Sequence, residues 1–319
     1  MARHRRRSVG LAVWAFLLAL SGSTAWATFP GANGRIAYYS TRDGTIHTIL
    51  PNGNGDLTTG QVGTRPAWSP DGTRIAYLGL AKAPNGTSRQ EIFSMAKDGS
   101  HARRLTYLAG SEFPYLGGPL SYSPNGRRIA FTKVGNVVSL MVMDSDGSDP
   151  HRIHAGDAFE WSPTGRWIAY RSERTLAIWA VHPNGTDAHQ LVRLGSEGGW
   201  LSDYAPSGKQ FIFVRRNDYP GDSARVPVEY DHTFIARADG SHVHRLPCAD
   251  SPPGIPFVGG VFSPNGRWLL GVRASATVPG AADLIKLDLR ECRAGNVVYE
   301  VIATGHGYAP TAWQPLPTG

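Results

Sequence analysis

The chain has 319 residues, of which 41% are hydrophobic and 10% aromatic; that composition suits a globular protein with an extensive core and excludes a disordered or low-complexity one. The formal net charge is +7, but Arg3, Arg5, Arg6 and Arg7 carry four of those charges within the first 27 residues, leaving +3 on the rest. A charge that small and that dispersed lacks the electrostatic footprint of a nucleic-acid binder.

In chain order, residues 1–27 predict a signal peptide. A basic head precedes the apolar run "VGLAVWAFLLAL" from Val9, and "STAWA" supplies Ala25 and Ala27 as the small residues of a cleavage site before Thr28. The run is shorter than the ~20 apolar residues a spanning helix requires, and nothing later approaches that length. The mature chain is therefore expected to be exported, periplasmic or extracellular, and without a membrane span.

The remainder, 28–319, repeats itself. "FPGANGRIAYYS" opens at Phe29, followed by "PAWSPDGTRIAYLG" from Pro66, "LSYSPNGRRIAFTK" from Leu120, "FEWSPTGRWIAYRS" from Phe159, "SDYAPSGKQFIFVR" from Ser202, "GVFSPNGRWLLGVR" from Gly260 and a truncated "TAWQP" from Thr311. Short aromatic-rich apolar runs bounded by turn residues predict strands. Ser-Pro-Asp/Asn-Gly places proline and glycine where a type I turn wants them. A second signal per repeat, "KDGS" at Lys97, "SDGS" at Ser145, "PNGT" at Pro183 and "ADGS" at Ala238, predicts tight hairpins. Each repeat thus supplies four antiparallel strands and two tight turns. The anchor glycines Gly34, Gly72, Gly126, Gly165, Gly208 and Gly266 are spaced by 38, 54, 39, 43 and 58 residues, which predicts an all-β, six-bladed β-propeller in one domain. Two residues before each turn proline stand Trp68, Tyr122, Trp161, Tyr204 and Phe262, with Trp313 in the closing copy. This is a structural ring of rings wedged between blades. The first copy lacks what the last supplies, so the C-terminal strand is expected to join the N-terminal blade and close the ring.

The pattern "WSPDG–x–x–IAY … DGS … RLT" resembles the repeat of TolB-like six-bladed β-propellers. The resemblance covers nearly all of 28–319 and implies that fold, without the α/β domain that precedes the propeller in TolB. The same repeat occurs in prolyl-oligopeptidase-type peptidases, but the G-x-S-x-G elbow their hydrolase domain needs is absent here. Oligogalacturonate-lyase-type propellers, also similar, hold a metal with histidines. Here His151, His189 and His244 share one repeat position on successive outermost strands and so should be spread around the rim, not gathered on one ion.

The candidate binding residues lie elsewhere. Glu160 and Asp203 are acidic where the other repeats carry Ala67, Ser121, Val261 and Ala312. They are expected near the axis, facing a water-filled channel, there either to hold a cation weakly or to pair with an arginine. The long insertions fall on the face opposite the Ser-Pro turns, where recognition usually sits. Together with those acids, Lys133, Arg215, Arg216, Arg273, Tyr115 and Tyr219 are the candidate ligand contacts. Cys248 and Cys292, the chain's two cysteines, invite a disulfide in an exported protein, although the blade scheme puts them toward opposite faces; the sequence leaves their pairing open. The functional expectation is a monomeric, non-catalytic binding module without a cofactor. Its partner would be a protein or an envelope or cell-wall component, through the long-loop face. The alternative is a carbohydrate-active enzyme, a polysaccharide lyase or hydrolase-like propeller, with Glu160 and Asp203 as its acids.

Overall fold

The computed structural model describes residues 29–82, 86, 88–107, 113–114, 119–196, 198–216, 232–246, 258–274, 282–294, 296–306 and 308–316. Blade one begins with β1 (Ala32–Ser40), β2 (Thr45–Ile49) and β3 (Leu57–Val62). Blade two is β4 (Thr64–Trp68), β5 (Arg74–Lys82), β6 (Ser88–Ala96) and β7 (Arg103–Arg104). In blade three both β8 (Phe113–Pro114) and β9 (Leu120–Tyr122) pair with β10 (Arg128–Val134), followed by β11 (Ser139–Asp144) and β12 (His151–Ala155). Blade four is β13 (Asp157–Trp161), β14 (Ile168–Ser172), β15 (Ala177–Val181) and β16 (His189–Arg193). Blade five is β17 (Gly199–Tyr204), β18 (Gln210–Arg215), β19 (His232–Arg237) and β20 (His244–Arg245). Blade six is β21 (Val258–Phe262), β22 (Trp268–Ala274), β23 (Ala282–Asp288) and β24 (Tyr299–His306), with the short helix α1 (Leu289–Arg293) between the last two. There the expected tight hairpin gives way to a helical turn capped by Asp288, which accepts from the Arg290 amide.

The final strand, β25 (Tyr308–Leu316), pairs antiparallel with β1, setting Trp313 opposite Ile36 and Leu316 opposite Ala32. The innermost strands then follow one another around the axis: β25 beside β4, β4 beside β9, then β13, β17 and β21, and β21 back beside β25. The fold is therefore the six-bladed β-propeller that the repeats predict.

Turn chemistry explains the register. In blade two the Gly72 amide donates to the Ser69 carbonyl at 2.9 Å, and the Ser69 hydroxyl accepts from the Arg74 amide at 3.0 Å. The same side-chain bond recurs from Arg128 to Ser123, Trp167 to Ser162 and Trp268 to Ser263. Blade one has no serine in its split turn. Gln314 replaces it: its Oε1 accepts from the Arg35 amide at 3.0 Å, while its Nε2 donates to the Gly72 carbonyl of blade two at 2.7 Å. Gly72 has φ +66, and a Cβ there would lie 2.5 Å from the Pro315 carbonyl oxygen, so only glycine fits both the turn and the joint.

The six ring aromatics are buried, each only 2–3% exposed, and fill the space between successive blades as expected. The second hairpins also follow their sequence logic. Asp98, Asp146, Asn184 and Asp239 each accept from the amide two residues on. His151, His189 and His244 each use ring Nδ1 on a backbone carbonyl two residues earlier, at positions where Asp149, Asp187 and His242 take positive φ. The repeated histidine thus braces a positive-φ turn residue at the entry to three separate outer strands.

Cys292 is buried on α1 and is disulfide-bonded; Cys248 lies outside the described residues. Thiol titration of the denatured, unreduced protein is expected to find no reactive cysteine, and Cys292→Ser should lower the unfolding free energy by about 2–4 kcal/mol. Trp313→Ala, which empties a ring position at the closure, should lower it by about 3–5 kcal/mol in urea denaturation.

Candidate functional site

Glu160 and Asp203, each just before a ring aromatic, both reach a neighbouring blade. Glu160, on β13, reaches back to blade three: its Oε1 accepts from the Ser121 hydroxyl at 2.8 Å and from the Trp161 amide at 3.0 Å. Asp203, on β17, reaches forward to blade six, where its Oδ2 accepts from the Phe262 amide at 2.7 Å. Both acids are 0% exposed, which corrects the expectation that they face a water-filled channel: the packed blade wall encloses them. Burial raises the Glu160 pKa well above the ordinary carboxylate range, and the Asp203 charge raises it further, against the two hydrogen bonds that favour ionisation. Glu160 Oε2 has no hydrogen-bond partner among the described residues. The Tyr204 phenol beside them is likewise pushed up, by burial and by Glu160.

A second cluster forms where blades four and five meet on the face opposite the Ser-Pro turns. Arg171, near the end of β14, grips Asp157 at the start of β13 through two bonds of 2.7 and 2.6 Å. It also donates to the Gly199 carbonyl of blade five at 3.3 Å and to Glu173 at 3.1 Å. Such a two-pronged guanidinium–carboxylate contact fixes geometry as well as charge, so this arginine locks the two blades together. Next to it Trp200, on β17, packs with Ala158 and Val214. Its buried Nε1 has no hydrogen-bond partner among the described residues. The exposed Arg216 lies over the Trp200 ring at 6.0 Å and is held by its amide on the Gly198 carbonyl at 3.1 Å. Arg216 forms no ion pair with a described residue. Arg215 stacks over Phe234 at 4.7 Å and Phe213 at 5.4 Å and donates to the Arg193 carbonyl at 2.9 Å.

Of the sequence candidates the structure brings Arg216 onto Trp200, which sequence reasoning missed, and sets Arg215 on the other face of the same sheet against Phe213 and Phe234. Lys133 and Arg273 stand near the same-face ends of β10 and β22, in blades three and six. Glu160 and Asp203 belong to the wall, and Tyr115 and Tyr219 lie outside the described residues. One signal could have found Trp200. It stands four residues before its ring aromatic, where the other repeats carry Thr64, Gly118, Asp157, Val258 and Ala309.

The fold and its repeat define a TolB-like six-bladed β-propeller. Of its relatives, the chain is 29% identical over 186 residues to the uncharacterized protein Atu1656 of Agrobacterium fabrum, covering 56% of this chain and 59% of that protein. It is 36% identical over 100 residues to the Tol-Pal system protein TolB of Anaeromyxobacter dehalogenans, covering 31% of this chain and 20% of that protein. The matched stretches therefore span less than two thirds of either relative. Among solved structures, a TolB candidate from Agrobacterium tumefaciens superposes with a TM-score of 0.53 at 20% identity, over 73% of this chain and 95% of that one. A chain of a nidogen/laminin complex gives a TM-score of 0.61 at 10% identity, over 89% and 99%. Oligogalacturonate lyase from Vibrio parahaemolyticus gives 0.56 at 11%, over 89% and 78%. No family model matches the chain.

The acid pair makes stability depend on pH. Because the folded pKa of Glu160 is raised, the folded protein holds more protons than the unfolded one above the ordinary glutamate pKa, and stability falls as pH rises through that window. In melting curves recorded from about pH 5 to 9, Glu160→Gln should flatten this decline and melt no lower than the parent at the alkaline end. An unchanged slope in the variant would contradict the assignment.

Proposed function

We propose that this chain is an exported, non-catalytic binding propeller that docks a protein partner on the loop face at the joint of blades four and five. Residues 1–27 would act as its signal peptide and 28–319 as the mature propeller, working in the periplasm or outside the cell. The observation that carries the reading is the exposed Arg216 laid over the buried Trp200 ring. An exposed arginine that forms no ion pair with a described residue and is backed by the buried Trp200 ring is the kind of side chain that dominates interaction hot spots. The Arg171–Asp157 clamp holds that patch on rigid strands. The name of the TolB relative, a Tol-Pal system protein, supports a role in an assembly of envelope proteins.

The carbohydrate-active alternative is less well served. Its two acids, Glu160 and Asp203, expose no surface to a substrate, and the likeness to oligogalacturonate lyase is one of fold.

The test is capture from the native envelope fraction with the purified mature chain as bait. Arg216→Glu should reduce recovery of the captured partner about tenfold or more, the effect of losing a hot-spot contact, while leaving the melting temperature unchanged. Equal recovery by parent and variant, or depolymerisation of a polysaccharide by the parent, would overturn the reading.

A further inference from the structure

The opposite face carries a second site of different chemistry. Between blades two and three, a cleft of about 300 Å³ is lined by Ser69, Asp71, Arg74, Arg103, Tyr122 and Ser145. It exists because of what blade two lacks. Arg74 begins β5 and sits in register with Ala96. In blade three the same pairing sets Arg128 against Asp144, at 4.0 Å. Blade six has Asp288 at that register, where it takes Arg267 at 2.8 Å. Blade two has no acid there, so the Arg74 guanidinium is left with one hydrogen bond to the neutral Ser94 hydroxyl at 3.0 Å. Arg103, on β7, stands exposed on the outer wall of the cleft and forms no ion pair with a described residue.

The floor supplies a further donor. Tyr122 is the ring aromatic of blade three; where blades two and four have tryptophan, its phenol lies 3.5 Å from Ser94 Oγ. Burial raises its pKa and the Asp71 charge adds to this, while the Ser94 hydrogen bond and the positive charges of Arg74 and Arg103 pull in the opposite direction. Both arginines and the phenol line the one cleft. Two acids lie close by. Asp71 already accepts from the Ser69 and Thr73 hydroxyls and the Thr73 amide through one oxygen, and Asp146 accepts from Ser148. Asp71 keeps its second oxygen and its charge at the cleft, and Asp146 keeps a charge that Arg103 feels, so a bound oxyanion has to compete with both acids for the two guanidinium groups.

We infer that this inter-blade cleft is a binding site for an oxyanion group, a phosphate or a carboxylate, held between Arg74 and Arg103 with the Tyr122 phenol as a further donor. Guanidinium groups lining one cleft are the side chains best matched to such oxygens. The site lies on the turn face, two blades from Trp200, so its occupancy is independent of the partner patch proposed above.

Calorimetric titration of the mature chain with inorganic phosphate and, separately, with citrate, at matched ionic strength against chloride, tests this. Saturable binding by at least one of the two is expected, and the arm that binds more tightly identifies the source. Arg103→Ala, a change at an exposed position, should weaken binding at least about tenfold, the loss of a charge-assisted hydrogen bond. Ala96→Asp is the sharper variant. It gives Arg74 the internal acid that blades three and six possess, and should abolish binding while the melting temperature holds or rises. No saturable binding in either arm, or binding that survives Ala96→Asp in a folded protein, would overturn the assignment.

Discussion

Every other contact in this molecule relies on the pairing of β25 with β1. Five sheets are continuous in sequence; the first is assembled from both ends of the chain, with Trp313 opposite Ile36. Without that joint, blade one would lose its innermost strand and its aromatic wedge, and the inner edge of β1 would stand open. Gln314 shows how closely the split blade copies the intact ones. Its side chain makes the hydrogen bond that serine makes elsewhere and adds one to the next blade. The remaining joints are variations on this theme. Gly126 abuts Pro70, Gly165 abuts Pro124 and Gly266 abuts Pro206, so each turn glycine seats the proline of the turn before it.

Polarity within the ring is distributed by the same geometry. A position filled by alanine or valine in three blades becomes Ser121, Glu160 and Asp203 in three consecutive ones, and each carboxylate reaches a donor belonging to a neighbouring blade. Two buried acids close enough to influence each other destabilise their charged forms, so the wall favours holding a proton. The Arg171–Asp157 clamp, by contrast, pairs its charges at close range and stiffens the rim where blades four and five meet.

Repetition made the fold legible. Six copies of one turn signal fix the blade number, the strand order within each blade and the location of the ring aromatics, because each copy repeats the same local physics. The candidate sites were less legible, for a corresponding reason: they arise where copies differ and where two blades touch. That Arg74 faces Ala96 while Arg128 faces Asp144 depends on strand register, which periodicity alone does not give. The burial of Glu160 and Asp203 depends on how tightly neighbouring sheets pack, and alternation along one strand is silent on that. Trp200 left a trace, a large ring at a position otherwise small or polar. Its meaning came only with Arg216 laid over it.

The closing joint also decides how this molecule can be held. Ala32 and Leu316 are partners in one ladder, at the end of blade one that carries Gln314 and abuts the Gly72 turn. Both termini of the propeller therefore leave it side by side from the turn face. A tether attached at either end, whether a fused domain or a surface anchor, would present Arg216 outward to the medium and turn the arginine cleft toward the support.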